Sequence, residues 1–178
     1  SFDFIQKIKQ LELGNRTMVS FDVTSLFTRV PLTYTIDLIL NKMYPKCSAK
    51  CKYKQRSRLC TECRKRYNFE YLLRLATSKT HFIFDNKMYI QHNGVAMGAP
   101  LAPIIADIFM SHLEETLMDR LRQNGVCQWY RYVDDTFVII EPTTKIESLL
   151  EILNNFHQSI KFTYQLETNA TLPFLDTW

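Results

Sequence analysis

The segment of residues 128–140 most constrains the fold, because two strand-like runs in it are separated only by a short acidic stretch. The first run, Gln128 to Tyr132, is rich in aromatic residues, and the second, Phe137 to Ile140, is apolar and β-branched. Two such runs joined by a short polar segment predict a β-hairpin. The sequence therefore predicts a hairpin with the carboxylates of Asp134 and Asp135 at its turn.

Asp134 and Asp135 are adjacent, and like charges side by side at a hairpin tip repel each other. A bound cation offsets this repulsion, and Mg²⁺ is the hard, oxygen-preferring candidate. The alternative is a solvated turn, since Asp is favoured in turns for purely local reasons. For an isolated Asp-Asp pair the solvated turn is the better interpretation, so the choice depends on the rest of the chain.

The distribution of charge predicts a polyanionic partner. The 178 residues have a formal net charge of +4, but the segment from Lys42 to Arg66 contains ten Lys and Arg against the single acid Glu62. This segment therefore carries +9, and the remainder of the chain sums to −5. A compact basic segment on a mildly acidic body favours nucleic acid as the partner. A solvated basic loop is the alternative.

Length and composition favour a single domain with one core, since 46% of the 178 residues are hydrophobic. No apolar run is long enough to span a bilayer, and no secretory pattern opens the sequence. We therefore expect no membrane partner and an intracellular location. The chain starts at Ser1 without an initiator Met, so we expect a piece of a longer protein.

The order of the predicted elements gives the fold class. From Thr17 onward a strand, a helical region, the acidic hairpin, a helix and a strand follow one another, which is a split βαβ pattern. This predicts an α+β fold, an antiparallel sheet with two helices on one face. The predicted elements are a helix in residues 1–16, a strand at 17–21, helices at 33–44, 69–78, about 101–122 and 144–157, a hairpin at 81–84 and 88–90, a strand at 160–166 and the start of another at 172–175.

The predicted sheet brings a third acid toward the hairpin. Asp22 follows the buried strand that begins at Thr17, and central strands of this fold place the end of that strand beside the turn of Asp134 and Asp135. Three carboxylates from two separate elements are the arrangement that a two-metal phosphoryl-transfer site requires. By itself, Asp22 is more typical of a cap or turn residue.

A glycine-containing loop precedes the longest predicted helix. Two of the four glycines in the chain, Gly94 and Gly98, lie four residues apart in the stretch that ends at Pro103. Glycine allows a backbone to approach a ligand closely or to adopt positive φ. The loop could receive a phosphate or a sugar edge at the helix N-terminus. A helix entry that needs glycine only for packing is the alternative.

Three strings in this order resemble motifs A, B and C of reverse transcriptase palms. They are Phe21-Asp22-Val23-Thr24-Ser25-Leu26-Phe27, residues 94–103, and Tyr132-Val133-Asp134-Asp135. The fuller strings SFDVTSLFTRVP, GVAMGAPLAP and LPFLD resemble those of Penelope-like retroelements. The resemblance covers residues 1–178 apart from a cysteine-rich segment at 45–67. It implies a right-hand polymerase palm, from motif A to the start of motif E, that copies RNA into DNA and is related to telomerase.

The resemblance also implies roles for individual residues. Asp22 and Asp134 would ligate two Mg²⁺ ions, for which Mn²⁺ could substitute, and Asp135 would be the third acid. Phe27 lies where the family places an aromatic gate against the ribose 2′-hydroxyl, although core packing explains a Phe equally well. The loop beneath the nucleotide and the template base would contain Gly94, Met97 and Gly98, with Met97 in a position that is Gln in many reverse transcriptases. Lys161 is a candidate for the basic residue of motif D, but an exposed lysine is the simpler interpretation.

The implied partners are an RNA template, a DNA primer and deoxynucleoside triphosphates, and the implied location is nuclear. Fingers motifs, a thumb and an endonuclease domain are not found in these 178 residues. We therefore expect them elsewhere in the parent protein, and we expect the present piece to be inactive by itself, because positioning supplies most of the rate in phosphoryl transfer.

The segment of residues 45–67 resembles an insertion between motifs A and B and contains four of the five cysteines. Thiolates in two close pairs suit one tetrahedral Zn²⁺ ion. Two disulfides are the alternative, but an intracellular protein disfavours them. The candidate zinc ligands are Cys47, Cys51, Cys60 and Cys63.

Two other functions compete with a polymerase. A catalytically silent nucleic-acid-binding module could keep the palm fold and bind through the basic segment. A phosphatase built around Asp22-Val23-Thr24 leaves the acidic hairpin and the glycine loop unexplained. Acids at all three positions favour the enzyme.

Overall fold

The computed structural model describes residues 14–45, 59–78 and 80–175. These form two compact units, which we describe separately. The sheet unit comprises residues 14–24 and 112–175, and the glycine-loop unit comprises the described residues of 25–111. In chain order the elements are β1 (Thr17–Val23), α1 (Leu26–Arg29), α2 (Leu32–Met43), α3 (Thr61–Thr77), β2 (His81–Phe84), β3 (Lys87–Ile90), α4 (Ala102–Gln123), β4 (Val126–Tyr132), β5 (Asp135–Ile140), α5 (Ile146–Asn154) and β6 (Phe162–Leu166).

The sheet unit is built on four antiparallel strands in the order β4-β5-β1-β6. The central strand β1 is buried at every second residue, Val19, Phe21 and Val23. Its neighbour β5 is buried from Thr136 to Ile140. A strand that is buried on both faces reads as a continuous apolar run, which explains the sequence of β5. This confirms the predicted α+β fold with an antiparallel sheet.

The two faces of the sheet are covered differently. Phe21 lies on the face of Trp129, whose ring centroid is 6.2 Å away and whose indole N–H bonds to Glu114 of α4. The later part of α4 also meets the segment after α5, where the rings of His112 and Phe156 are 5.9 Å apart. Both helices therefore belong to one face, as the split βαβ pattern predicts.

The opposite face of the sheet is covered by a short irregular segment. Phe137 and Ile139 of β5 pack there against Leu172 and Phe174, with the rings of Phe137 and Phe174 at 5.6 Å. The described part of the predicted strand that begins at Leu172 contains one β-bridge residue, Phe174, and residues 176–178, where the strand would continue, lie outside the described residues. The apolar residues that predicted this strand close the core on this face.

Helix α3 is longer than predicted. It begins at Thr61 rather than Phe69, and Cys60 is its N-cap, with the thiol sulfur accepting a hydrogen bond from the Cys63 backbone N–H at 3.5 Å. The first two helical turns, residues 61–68, are so polar that the sequence predicts a loop there, although Lys and Arg have high helix propensity. Cys47 and Cys51 lie outside the described residues.

Arg66 of α3 is buried, which the count of basic residues did not anticipate. Its guanidinium donates to the backbone carbonyls of Leu40 at 2.6 Å and Tyr44 at 2.5 Å, and to the side chain of Asn41 at 3.0 Å. These groups lie at the C-terminal end of α2, where backbone carbonyls and the helix dipole stabilise a cation. Arg66 therefore joins α2 to α3 and is not part of a basic surface.

The strands β2 and β3 form a separate hairpin, as predicted, with Asp85 and Asn86 as its two-residue turn. Every residue of the two strands is exposed, including Ile83 at 72% and Met88 at 71%. Phe82 stacks on Tyr89 across the pair at 5.5 Å. None of the described helices is long and apolar enough to cross a membrane.

Candidate active site

Strand pairing brings Asp22 beside the acidic hairpin. Strands β1 and β5 pair in register up to Phe21 opposite Thr136. One step further along this register lie Asp22 and Asp135, and paired residues of antiparallel strands point to the same face. Asp135 is the first residue of β5 and Asp134 precedes it in the turn, so three carboxylates lie at one end of the sheet.

The turn of the acidic hairpin consists of Val133 and Asp134, between the paired residues Tyr132 and Asp135. Val133 has a φ of 59°, in the left-handed region that a β-branched side chain rarely adopts. A positive φ at the first turn residue is typical of a type II′ hairpin turn, where glycine is usual. The backbone beside Asp134 is therefore strained, and such strain is common at functional sites.

The three carboxylates act on one another electrostatically. Partial burial, followed by the charge of Asp134, raises the pKa of Asp22 above its ordinary value of 3.8, although the Val23 backbone N–H opposes this. Partial burial, then Asp134 and then Asp22, raise the pKa of Asp135 above 3.8. Asp22 is exposed as a residue, so the desolvation applies to its carboxyl group locally. The site therefore disfavours three negative charges unless a cation is bound.

The carboxylate oxygens of these acids are of the type that Mg²⁺ prefers, but the three side chains do not surround one common point. In the described part of the chain, no three His, Cys, Asp or Glu side chains are placed so that they could hold a metal ion together. Mg²⁺, however, is usually bound by one or two protein carboxylates and keeps several water ligands. Carboxylate oxygens that repel one another at an exposed edge fit this mode of binding.

A hydrogen-bonded cluster behind the turn was not identified from the sequence. Both carboxylate oxygens of Glu114 accept from Arg131, from Nε at 2.7 Å and from Nη2 at 3.2 Å. The same guanidinium donates from Nη1 to the carbonyl of Val133 at 3.2 Å. Arg131 precedes Tyr132 in the chain, but nothing in the local pattern pairs it with Glu114, which lies 17 residues earlier.

In the glycine-loop unit, Gly94 lies against the segment after β1. The Val95 N–H donates to the Phe27 carbonyl at 2.7 Å, and a Cβ at Gly94 would lie 2.4 Å from backbone atoms of Phe27 and Thr28. With a φ of +67°, position 94 therefore accepts only glycine. The partner that requires glycine at position 94 is therefore the backbone of Phe27 and Thr28, and not a ligand.

Met97 and Gly98 form the exposed tip of the same loop. The Ala99 N–H donates to the Ala96 carbonyl at 3.1 Å, and Gly98 has a φ of +86°, which together describe a type II turn. A Cβ at Gly98 would meet no atom within 4 Å, and the Met97 side chain is 70% exposed.

The structure also describes the two remaining candidate residues, Phe27 and Lys161. Phe27 is half-buried. Lys161 is exposed, and its ammonium donates a hydrogen bond to the Asn154 carbonyl.

Comparison with known proteins places these features in a family. The family model described as "Reverse transcriptase (RNA-dependent DNA polymerase)" matches residues 2–170 of the 178. A search of curated protein sequences finds no match.

Solved telomerase structures share the fold. One of telomerase from Candida albicans, in complex with a fragment of telomeric RNA, superposes with a TM-score of 0.64 at 12% identity, covering 97% of this chain and 30% of that one. A truncated apo telomerase from Candida tropicalis gives a TM-score of 0.59 at 16% identity, covering 98% and 35%. The chain thus spans about a third of the length of these structures.

Proposed function

Since a family model matches nearly its whole length, the chain belongs to the reverse transcriptase family, and we propose that it is the palm of an RNA-directed DNA polymerase. The observation that carries this proposal is the register of β1 and β5, which leads Asp22 to the acidic turn. A palm of this kind transfers a nucleotide from a deoxynucleoside triphosphate to the 3′-hydroxyl of a primer on an RNA template.

Within this proposal, Asp22 and Asp134 hold two Mg²⁺ ions, and Asp135 is the third acid. The ions would activate the attacking hydroxyl and neutralise charge on the triphosphate. The role of the protein is to fix the carboxylates at one sheet edge, so that they need no rearrangement during the reaction. Partial burial and, after it, the charges of the neighbouring carboxylates raise the pKa of Asp22 and Asp135, which supports this role because it places the acids close to one another.

Primer extension by the protein that carries this chain tests the assignment. We expect Asp22→Asn and Asp134→Asn each to lower the rate by at least about 10²–10³-fold, the loss typical when a preorganised electrostatic group is removed. Asp119→Asn, at an exposed position of α4, is the charge-matched control and should extend normally. Activity within tenfold of the unsubstituted protein in both variants would contradict the proposal. Binding without extension by the unsubstituted protein would instead favour a silent nucleic-acid-binding module.

Phe27 is proposed as the gate against ribonucleotides. Its half-buried side chain and the fixed contact of its carbonyl with Val95 support a rigid position for the ring. Phe27→Val should lower the preference for deoxynucleotides over ribonucleotides, measured as the ratio of the two incorporation rates. An unchanged ratio with activity retained would assign Phe27 to packing. The substrate loop of Gly94, Met97 and Gly98 belongs to the same proposal.

A structural zinc site is proposed for Cys47, Cys51, Cys60 and Cys63. Cys60 and Cys63 support it, because they lie at the start of α3 and the Cys60 sulfur already accepts a backbone N–H, as metal-bound thiolates commonly do. Elemental analysis of protein purified without chelator should give about one zinc per chain. Cys60→Ser should lower that content, and the fifth cysteine, in Cys127→Ser, serves as the control. Absence of zinc would remove this site while leaving the polymerase proposal intact.

The origin of the chain is proposed to be a Penelope-like retroelement, on the strength of the three sequence strings that resemble that group. Such an element inserts DNA copies into chromosomes, so we propose a nuclear location. Imaging of the tagged full-length protein tests the location, and exclusion from the nucleus would contradict it.

A further inference from the structure

The cluster behind the acidic turn connects a helix to the backbone of the turn. Glu114 on α4 receives two hydrogen bonds from Arg131 in β4, and Arg131 donates a third hydrogen bond to the Val133 carbonyl at 3.2 Å. The side chains of Arg131 and Glu114 are only 11% and 20% exposed. A bidentate pair between a planar guanidinium and a carboxylate fixes orientation as well as distance.

The turn needs such a contact because its own residues do not favour it. Val133 has no local reason to adopt a φ of 59°, and no glycine is present to relieve the strain. The Val133 carbonyl belongs to the peptide plane that leads into Asp134. A hydrogen bond to this carbonyl therefore restrains the direction in which the Asp134 backbone leaves the turn.

The same cluster reaches the strand of the second acid. Trp129 donates its indole N–H to Glu114 at 2.9 Å, and its ring stacks on Phe21 at 6.2 Å. Phe21 is the residue before Asp22. One carboxylate on α4 thus anchors both the turn that contains Asp134 and a ring packed beside the strand that contains Asp22.

We propose that Arg131 and Glu114 are positioning residues that hold the strained Val133–Asp134 turn in the geometry needed for nucleotide transfer. Neither residue touches the reacting atoms in this account. Both act through the Val133 carbonyl. The catalytic part of this inference rests on the function proposed above, whereas the restraint on the turn does not.

Conservative substitutions separate positioning from general stability. Arg131→Lys keeps the positive charge but cannot bond both oxygens of Glu114 and the Val133 carbonyl in one plane. Glu114→Gln keeps the shape but removes the charge. In the protein that carries this chain, we expect either variant to lower kcat for primer extension by about 10-fold to 100-fold, as small misplacements do. The KM for the deoxynucleotide should change by less than about twofold, because the substrate contacts are untouched.

Two matched comparisons complete the design. The Arg74–Glu70 pair, 2.9 Å apart, lies within helix α3, so Arg74→Lys should leave kcat unchanged. The double variant Arg131→Lys with Glu114→Gln should be about as slow as either single variant, since both act on one hydrogen-bonded unit. Amide hydrogen exchange in the peptide that spans residues 132–135 should be faster in both single variants and normal in Arg74→Lys.

The outcomes are distinct. Unchanged kcat and unchanged exchange at the turn in both single variants would overturn the proposal, as would a fall in kcat with no local change in exchange. If the unsubstituted protein does not extend a primer and binds no Mn²⁺, the proposed function fails. Exchange at residues 132–135 then still decides whether Arg131 and Glu114 restrain the turn.

Discussion

The β2–β3 and β4–β5 hairpins have the same loop length but are stabilised in opposite ways. The turn of the β2–β3 hairpin is Asp85-Asn86, and both residues adopt positive φ, 48° and 55°, which Asp and Asn tolerate locally. Its strands are entirely exposed. The β4–β5 hairpin places Val133 at a φ of 59°, against local preference, and its second strand is buried.

This difference shows which residues determine the conformation of each hairpin. The exposed hairpin follows from its turn residues, so its sequence predicts it without reference to the rest of the molecule. The acidic hairpin adopts an unfavourable turn because the sheet and the Arg131–Glu114 pair select it. The strained turn, which is imposed by contacts outside it, contains Asp134, whereas the relaxed turn contains none of the proposed catalytic residues.

The largest expected contrast concerns the strands themselves. Ile139 is 2% exposed in β5 and Ile83 is 72% exposed in β2. We expect Ile139→Ala to lower the free energy of unfolding by about 2–5 kcal/mol, through lost burial and the cavity that remains. Ile83→Ala should change it by no more than about 0.5 kcal/mol. Urea unfolding of the two variants measures this, and equal effects would show that the β2–β3 hairpin is also part of a core.

A second contrast concerns the turns. Val133→Gly removes a Cβ from the left-handed region, which should stabilise the folded state by about 1–2 kcal/mol. Glycine also has more backbone entropy in the unfolded chain, which should destabilise the folded state by about 0.5–1 kcal/mol. We therefore expect a net stabilisation of up to about 1.5 kcal/mol, together with slower primer extension because the turn is freer. Asn86→Gly should change neither quantity, because Asn already tolerates its conformation. Destabilisation by Val133→Gly would mean that Val133 is not strained.

A third test concerns Thr136, which follows Asp135 and is fully buried with its hydroxyl unpaired among the described residues. Replacing an unsatisfied buried hydroxyl by a methyl group should stabilise the sheet by about 1 kcal/mol. Thr136→Val should therefore raise the Tm by about 2–4 °C. Thr163→Val, at an exposed position of β6, is the control and should have no effect. A lower Tm in Thr136→Val would indicate that the hydroxyl has a partner, such as a bound water.

The smallest expected effect is on the pH dependence of stability without divalent metal. Because the folded-state pKa values of Asp22 and Asp135 are raised above 3.8, the folded protein binds more protons than the unfolded chain between 3.8 and the raised values. Their contribution to stability is therefore fully present below 3.8 and is lost as the pH rises through the folded-state values. Asp135→Asn should make the dependence shallower in chelator, as measured by urea unfolding at several pH values. A free energy of unfolding that rises with pH over this range in chelator would contradict the raised pKa values of Asp22 and Asp135.

Much of the fold could be predicted from the sequence because its signals are local. The turn residues of β2–β3 and the apolar period of α4 predicted elements whose ends lie within a few residues of those observed. The order of these elements then predicted the antiparallel sheet, which the structure confirms. Asp22, Asp134 and Asp135 were candidates for the same reason, since each follows or separates strand-like runs.

The features that the sequence did not predict depend on contacts between distant residues. Arg66 reads as one more exposed cation, and only the end of α2 explains its burial. Arg131 and Glu114 belong to different elements, so no short pattern pairs them. Leu172 and Phe174 alternate as in a strand, but the sequence does not show that they pack on Phe137 and Ile139. Local propensity does not contain this information, because each case depends on which partner is available after folding.

The contact of Gly94 with Phe27 and Thr28 also closes a long loop of the chain. The hydrogen bond from Val95 to Phe27 joins the two ends of that loop, and the elements from α2 to β3 lie between them. The entropy of closing a flexible loop grows only with the logarithm of its length, so doubling the length adds about 0.6 kcal/mol. Segments between these ends, the cysteine-rich one included, can therefore be lengthened or shortened during evolution at little energetic expense, provided that position 94 remains glycine.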